Sequence, residues 1–350
     1  LAILTYKKVS PLIVGPIVTV ILAVLTGMNV TDTLLNTYME TAGSYFIRFF
    51  MIFLTGAIYG LIMHKTGAAA AIAKKITELI GTRWVIPGVV LATAALTYGG
   101  ISLFVIIFVM YPLSLAMFQQ ANITKKLIPG AVALGAFTFT MTTPGSPQIQ
   151  NIIPISYLGT SPTAAFIPGW AAGLFIAVVG ILYLEWRAKS YEKKGVKFEA
   201  HDEVEERSDT LPSFFKAIVP SLAIVILLNI VKVNIVWAMV AGIILSIALL
   251  YNRLEGLKKW LDVINKGAEN STTVMLNTAA IVGYAGAVEK IPQFPAIIES
   301  IKNISINDYY FPAITTTALS GLSGSASGGL SVAYEALQEQ FMNLGIPLEA

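Results

Sequence analysis

Cysteine is absent from the 350 residues, which excludes disulfides, thiolate metal sites and cysteine nucleophiles. Charge is scarce: Asp, Glu, Lys and Arg make up 12% of the chain, against roughly 25% in ordinary soluble domains. Histidine is limited to His64, at the edge of an apolar run, and His201, in a charged stretch. Neither is placed to serve a buried nucleophile as its base. No metal site, cofactor or nucleic-acid partner is expected. The net charge of +3 says little by itself, because in an apolar chain the placement of charge carries the information.

What the chain has instead is hydrophobic length. Apolar residues make up 55% of it. Long apolar runs recur at Pro11–Met28, Gly43–Met63, Thr163–Trp186, Phe214–Val231 and Ile235–Tyr251. Each approaches the ~20 residues that cross a bilayer core. A soluble protein of this size has no interior for so many, so the sequence predicts an all-α, polytopic membrane protein.

The two halves share landmarks at a near-constant offset. Lys8-Val9-Ser10 matches Lys232-Val233-Asn234, Gly60 matches Gly286, Pro87 matches Pro312, and Gly100 matches Gly329. Polar segments with Asp32 and Glu40, and with Asp262 and Glu269, precede matching spans and read as interfacial helices. The duplication predicts a first repeat over 1–186, a charged linker over 187–212 and a second repeat over 213–350. Each repeat holds a re-entrant hairpin, at 84–118 and 311–342, and the first also holds a broken helix at 127–158. Walking this topology puts all but four of the 23 Lys and Arg on one face, which the positive-inside rule makes cytoplasmic. The linker falls on that face. Charge cannot tell a hairpin from two full spans. An odd number of crossings per repeat makes the second repeat inverted, as in many secondary transporters. Repeat symmetry also predicts a chain truncated at both ends.

Three polar constellations interrupt the apolar runs. The first is Thr97-Tyr98-Gly99-Gly100-Ile101-Ser102, where paired glycines allow a sharp turn and a following helix N-terminus favours an anionic group. The second is Thr140-Met141-Thr142-Thr143-Pro144-Gly145-Ser146-Pro147-Gln148-Ile149-Gln150-Asn151, which cannot continue a helix. A discontinuous helix at membrane depth offers a half-helix N-terminus and unwound carbonyls. The third runs from Ser320 to Ser331, with Gly328-Gly329-Leu330-Ser331 read as irregular backbone like that at Gly99-Gly100-Ile101-Ser102. Such backbone survives in a bilayer only where protein buries it or a cavity lies beside it. Candidate substrate-binding residues are Thr97, Gly99, Gly100 and Ser102; Thr142, Thr143, Ser146, Gln148 and Asn151; and Ser323, Ser325 and Ser327. Gln148 and Asn151 are expected to select substrate hydroxyls. Arg48 lies within a span, where charge is functional by default, yet it is close enough to the outer end to snorkel. Glu335 lies in the rear helix of the second hairpin, and no proton carrier stands out.

At Tyr98-Gly99-Gly100-Ile101-Ser102-Leu103-Phe104, Gly135–Met141, Pro144–Pro154 and Gly324–Leu330 the chain resembles the GntP-type gluconate:proton symporters. The closer resemblance is to the branch of β-hydroxybutyrate and general organic-acid permeases. The resemblance covers essentially the whole chain. It implies uptake of small hydroxy- or sugar-acid anions with protons across the bacterial inner membrane. The wider ion-transporter superfamily implies an elevator-type transporter that dimerises through its scaffold. The family's further C-terminal polar motif is missing. Three other readings stay open: a sodium-coupled carboxylate carrier, a passive anion channel, and an intramembrane serine hydrolase suggested by Gly321-Leu322-Ser323-Gly324.

Overall fold

A computed structural model of the chain describes residues 4, 7, 9–81, 84–101, 103–198, 211–296, 299–300, 307–323 and 326–347. Every regular element among them is helical. They are α1 (Pro11–Thr26), α2 (Val30–Lys65), α3 (Ala68–Ile80), α4 (Val85–Tyr98), α5 (Leu103–Gln120), α6 (Ile128–Phe137), α7 (Ile149–Leu158), α8 (Phe166–Lys193), α9 (Phe214–Asn229), α10 (Ile235–Leu250), α11 (Gly256–Glu289), α12 (Tyr310–Ser323) and α13 (Ala326–Met342).

Among the described residues, three helical stretches are long and apolar enough to cross a membrane: Val30–Lys65, Phe166–Lys193 and Ile235–Arg253. The apolar α1 and α9 stop at 16 residues, about 24 Å of rise. In α1 the stop is local: Gly27 takes φ 72°, and Met28 N–H donates to the Ala23 carbonyl at 2.9 Å, closing a left-handed cap. Leu25, Ile47, Ile167 and Phe215 lie largely exposed, as expected of side chains whose solvent is lipid.

Two sequence expectations are corrected. The charges Asp32, Glu40, Asp262 and Glu269 do not sit on separate interfacial helices. They belong to the continuous helical stretches Val30–Lys65 and Gly256–Glu289; no glycine cap or proline stops the backbone between polar start and apolar run, and a π-helical turn at Thr33–Tyr38 is absorbed without a break. Nor is Gly328-Gly329-Leu330-Ser331 irregular: it lies inside α13. A Cβ on Gly329 would overlap the Ser320 backbone of α12, so this glycine lets two helices approach.

The chain divides into two compact units. The first comprises residues 1–53, 152–161 and 270–350. Here α11 presents Gly283 and Gly286 against Tyr38 and Thr41 of α2, while Gly15 of α1 meets the Ala280 carbonyl. Phe311, Ala333, Leu337 and Phe341 form the apolar seam of α12 and α13. The second unit comprises residues 54–151 and 162–269. In it α4 packs against α3 and α6, and α9 against α3 and α10. Gly135 of α6 seats against the Val90 carbonyl and Thr93 of α4. Leu61, Ile62, Trp260 and Val263 form a further core of this unit.

Candidate functional site

The second unit holds both chain breaks of the first half. α4 ends at Tyr98, and Gly100 adopts φ +94°. Gly100 N–H donates to the Thr97 carbonyl (3.1 Å) and Ile101 N–H to the Leu96 carbonyl (3.1 Å). This is the Schellman arrangement, with glycine at the left-handed position because a Cβ is disfavoured there. Gly99 approaches Ser221 of α9, where a Cβ would stand 2.9 Å from the serine Cβ. Ser221 in turn shares a 2.6 Å hydrogen bond with Tyr59, both side chains buried.

The second break follows α6. A π-helical turn over Thr138–Thr142 loosens the backbone, and Thr143 is extended. Gly145 takes φ +90°, and residues 143–148 are all buried. α8 makes room with Gly169, facing Pro144 and the Thr142 carbonyl, and with Gly173, facing the Thr143 methyl.

Proline supplies no N–H, so Pro147 cannot donate to the Thr143 carbonyl four residues earlier, and the two breaks free further carbonyls. At membrane depth freed carbonyls need partners, and four side chains provide them. Asn151 Nδ2 donates to the Thr143 carbonyl at 2.9 Å. Tyr98 Oη donates to the Pro144 carbonyl at 2.9 Å. Asn229 Nδ2, from α9, donates to the Gly145 carbonyl at 2.8 Å. Gln148 Nε2 reaches across to the first break, donating to the carbonyls of Thr97 (2.9 Å) and Ile101 (3.0 Å). The unwound segment and the tip of α4 are thereby tied into one polar construction.

Most candidate residues of the first half therefore come together, in roles sharper than the sequence indicated. Gln148 and Asn151 spend their NH2 groups on backbone, leaving their side-chain oxygens as the atoms not used in these bonds. The Thr97 hydroxyl donates to the Thr93 carbonyl (2.9 Å) and the Thr143 hydroxyl to that of Phe139 (2.5 Å), so both can serve a ligand only as acceptors. Ser146 Oγ accepts from Gln148 N–H at 3.3 Å. Thr142 is half-buried at the end of the π turn. Ser102 and Ser325 lie outside the described residues, as does the side chain of Ser323. Ser327 opens the first turn of α13, half-buried.

Sequence reasoning missed Asn229, Ser221 and Tyr59, and passed over Tyr98 as a site residue. A signal existed for Asn229, the one amide in its apolar run, since a polar side chain in such a run needs a partner. Its Oδ1 is buried without a hydrogen bond, and with Tyr98 Oη it crowds the position that a Cβ on Gly145 would take. Trp170 Nε1, buried beside the Tyr98 ring, is likewise unpaired.

The sequence model of GntP family permeases matches residues 1–251. The chain belongs to the GntP permease family. The permease is 33% identical over 384 residues to the uncharacterized transporter YxjC of Bacillus subtilis strain 168, covering 96% of this chain and 80% of that protein. It is 23% identical over 300 residues to an uncharacterized transporter of Haemophilus influenzae, covering 84% of this chain and 69% of that protein. The fold of the permease is similar to the crystal structure of the Alcanivorax borkumensis YdaH transporter, with a TM-score of 0.64 and 12% identity over 97% of this chain and 85% of that one. The family and these relatives are transporters, not enzymes, and the permease is a membrane protein that handles a small-molecule substrate.

Proposed function

We propose that this permease is a proton-coupled symporter of small organic anions across the bacterial inner membrane, with gluconate, 3-hydroxybutyrate and related hydroxy or sugar acids as the substrate class. The observation that carries this reading is the sealed double break: five backbone carbonyls held by Gln148, Asn151, Tyr98 and Asn229. Rigid irregular backbone with residual hydroxyl and amide oxygens suits a ligand rich in hydroxyls, since a site built to hydrogen-bond an OH rejects analogues lacking it. The substrate wall in this reading is Thr97, Gly99, Gly100 and Ser102 with Thr142, Thr143, Ser146, Gln148 and Asn151, while Ser323, Ser325 and Ser327 are candidates from the sequence pattern alone. Repeats over 1–186 and 213–350, inverted and joined by a cytoplasmic linker at 187–212, fit the lysine and arginine placement. Elevator motion and a homodimer belong to the same reading.

The test is uptake of radiolabelled gluconate and 3-hydroxybutyrate into proteoliposomes, each competed by the other, under an imposed pH gradient, a sodium gradient or neither. Saturable uptake driven by the pH gradient is expected. Dependence on sodium alone replaces the coupling ion, and non-saturable flux without any gradient replaces the carrier by a channel. Asn151→Leu should abolish uptake while membrane insertion persists; unchanged uptake removes Asn151 from the site.

A further inference from the structure

The first unit gathers the charged groups that the double break lacks. Arg48 is the one Lys, Arg, Asp or Glu between Glu40 and Lys65 of α2, and an intramembrane charge is costly enough to need a reason. Its guanidinium stands 4.1 Å from the centroid of the Tyr157 ring, on α7. Tyr157 is buried and held from one face of α13. Its hydroxyl lies beside the Glu335 carboxylate, its carbonyl accepts from Gln338 Nε2 at 2.6 Å, and its ring stacks on Tyr334 with centroids 6.0 Å apart. Residues 334, 335 and 338 share a helical face, so α13 grips one tyrosine at three points.

We propose that Glu335 is the carboxylate that takes up the coupling proton, with Tyr157 as its hydrogen-bond partner and Arg48 as the fixed positive charge beside them. This rests on the proton-coupled reading above. Among the described residues, the charged and titratable groups around Glu335 are Tyr157 from α7, Arg48 and the buried Tyr45 from α2, Glu289 from α11, and Tyr334 and Glu339 on its own helix. α12 brings no charged residue, only Tyr310 at its exposed start. Glu289 has its own partner in Lys290 at 3.9 Å. An arginine stays protonated at every working pH, so the carboxylate is the member of the pair whose charge a proton changes. Ionised, Glu335 accepts from the Tyr157 hydroxyl and offsets Arg48. Protonated, it donates instead, and the cluster is left with the guanidinium charge. One proton thus changes the local charge by one unit at the residues that hold α7, the helix that begins directly after Gln148. A two-state element biased by one ligand is what reciprocal coupling to a second requires.

The test uses the full chain in proteoliposomes. An inward gradient of one pH unit supports about tenfold accumulation when one proton accompanies each substrate. Glu335→Gln should lose that accumulation of labelled gluconate or 3-hydroxybutyrate while keeping counterflow in the absence of a gradient, and Glu335→Asp should regain part of it. Retained counterflow shows the variant is folded. Gradient-driven accumulation by Glu335→Gln at the wild-type level overturns the assignment of this residue alone. Wild-type uptake indifferent to the pH gradient overturns the proton reading and this proposal with it. A second arm needs no substrate: dicyclohexylcarbodiimide modifies protonated carboxyls in apolar surroundings, and mass spectrometry should find it on Glu335, fading as the pH is raised. No modification of Glu335 at any pH overturns the proposal whatever the transport result.

Discussion

Two stretches of this permease read almost alike, Gly99-Gly100-Ile101-Ser102-Leu103 and Gly328-Gly329-Leu330-Ser331-Val332, yet their backbones do opposite things. At the first, the helix stops, Gly100 turns left-handed, and the exposed carbonyls are taken up by Gln148. At the second, the helix continues, and Gly329 is used for its missing side chain against Ser320. A glycine pair in a membrane helix can relax the backbone or admit a neighbour. Which one it does depends on whether donors exist elsewhere to replace the broken helical bonds. Gln148 exists for the first pair; Gly328–Ser331 keeps its helical bonds and needs none.

The largest effect expected from breaking this contrast is at Gln148. Gln148→Leu strands the carbonyls of Thr97 and Ile101, at about 1–3 kcal/mol for each buried group left unpaired. A large drop in melting temperature in detergent and loss of uptake should follow. A neutral variant would mean that the two breaks are not tied together. Gly329→Ala comes next, since its Cβ meets backbone that cannot rotate away; forced overpacking costs about 1–3 kcal/mol, read as a lower melting temperature. Gly100→Ala should be milder, about 1–2 kcal/mol for a left-handed Cβ, because its neighbours Pro147 and Tyr59 leave 3.3 and 3.5 Å for the new methyl. If Gly100→Ala proves the more damaging of the two, the assignment of turn to one pair and packing to the other is reversed. Smallest is Ser327→Ala, on a half-buried first turn: melting should stay within about 0.5 kcal/mol of wild type, while uptake falls if the hydroxyl reaches substrate. Full uptake would remove Ser327 from the site and leave substrate contact to the first half.

Much of the site was legible because membrane sequences have few ways to justify polar residues. Prolines 144 and 147 with Gln148 and Asn151 announced an unwound helix, since helical hydrogen bonding fails there and hydrocarbon offers no substitute. Tyr98 and Asn229 were not legible as partners, because pairing a donor with a freed carbonyl depends on which helices pack together. Asn229 and Gly145 are 84 residues apart. The charge cluster was hidden for the same reason. Arg48, Tyr157 and Glu335 come from three distant segments, and nothing in the sequence pairs them.

By itself the sequence determined the solvent and the class of the protein: hydrophobic length and scarce charge admit a helical membrane protein and little else, and its motifs placed it among the permeases. At Pro144 and Pro147 it also pointed to a failure of helical bonding, because proline lacks an N–H, whereas the two glycine pairs left the outcome open. Only the tertiary structure decided what each failure is used for. The replacement donors, the tight glycine contact and the partners of Arg48 all arrive from remote parts of the chain, and hydrogen bonds and close packing act over a few ångströms in space, whatever the separation in sequence.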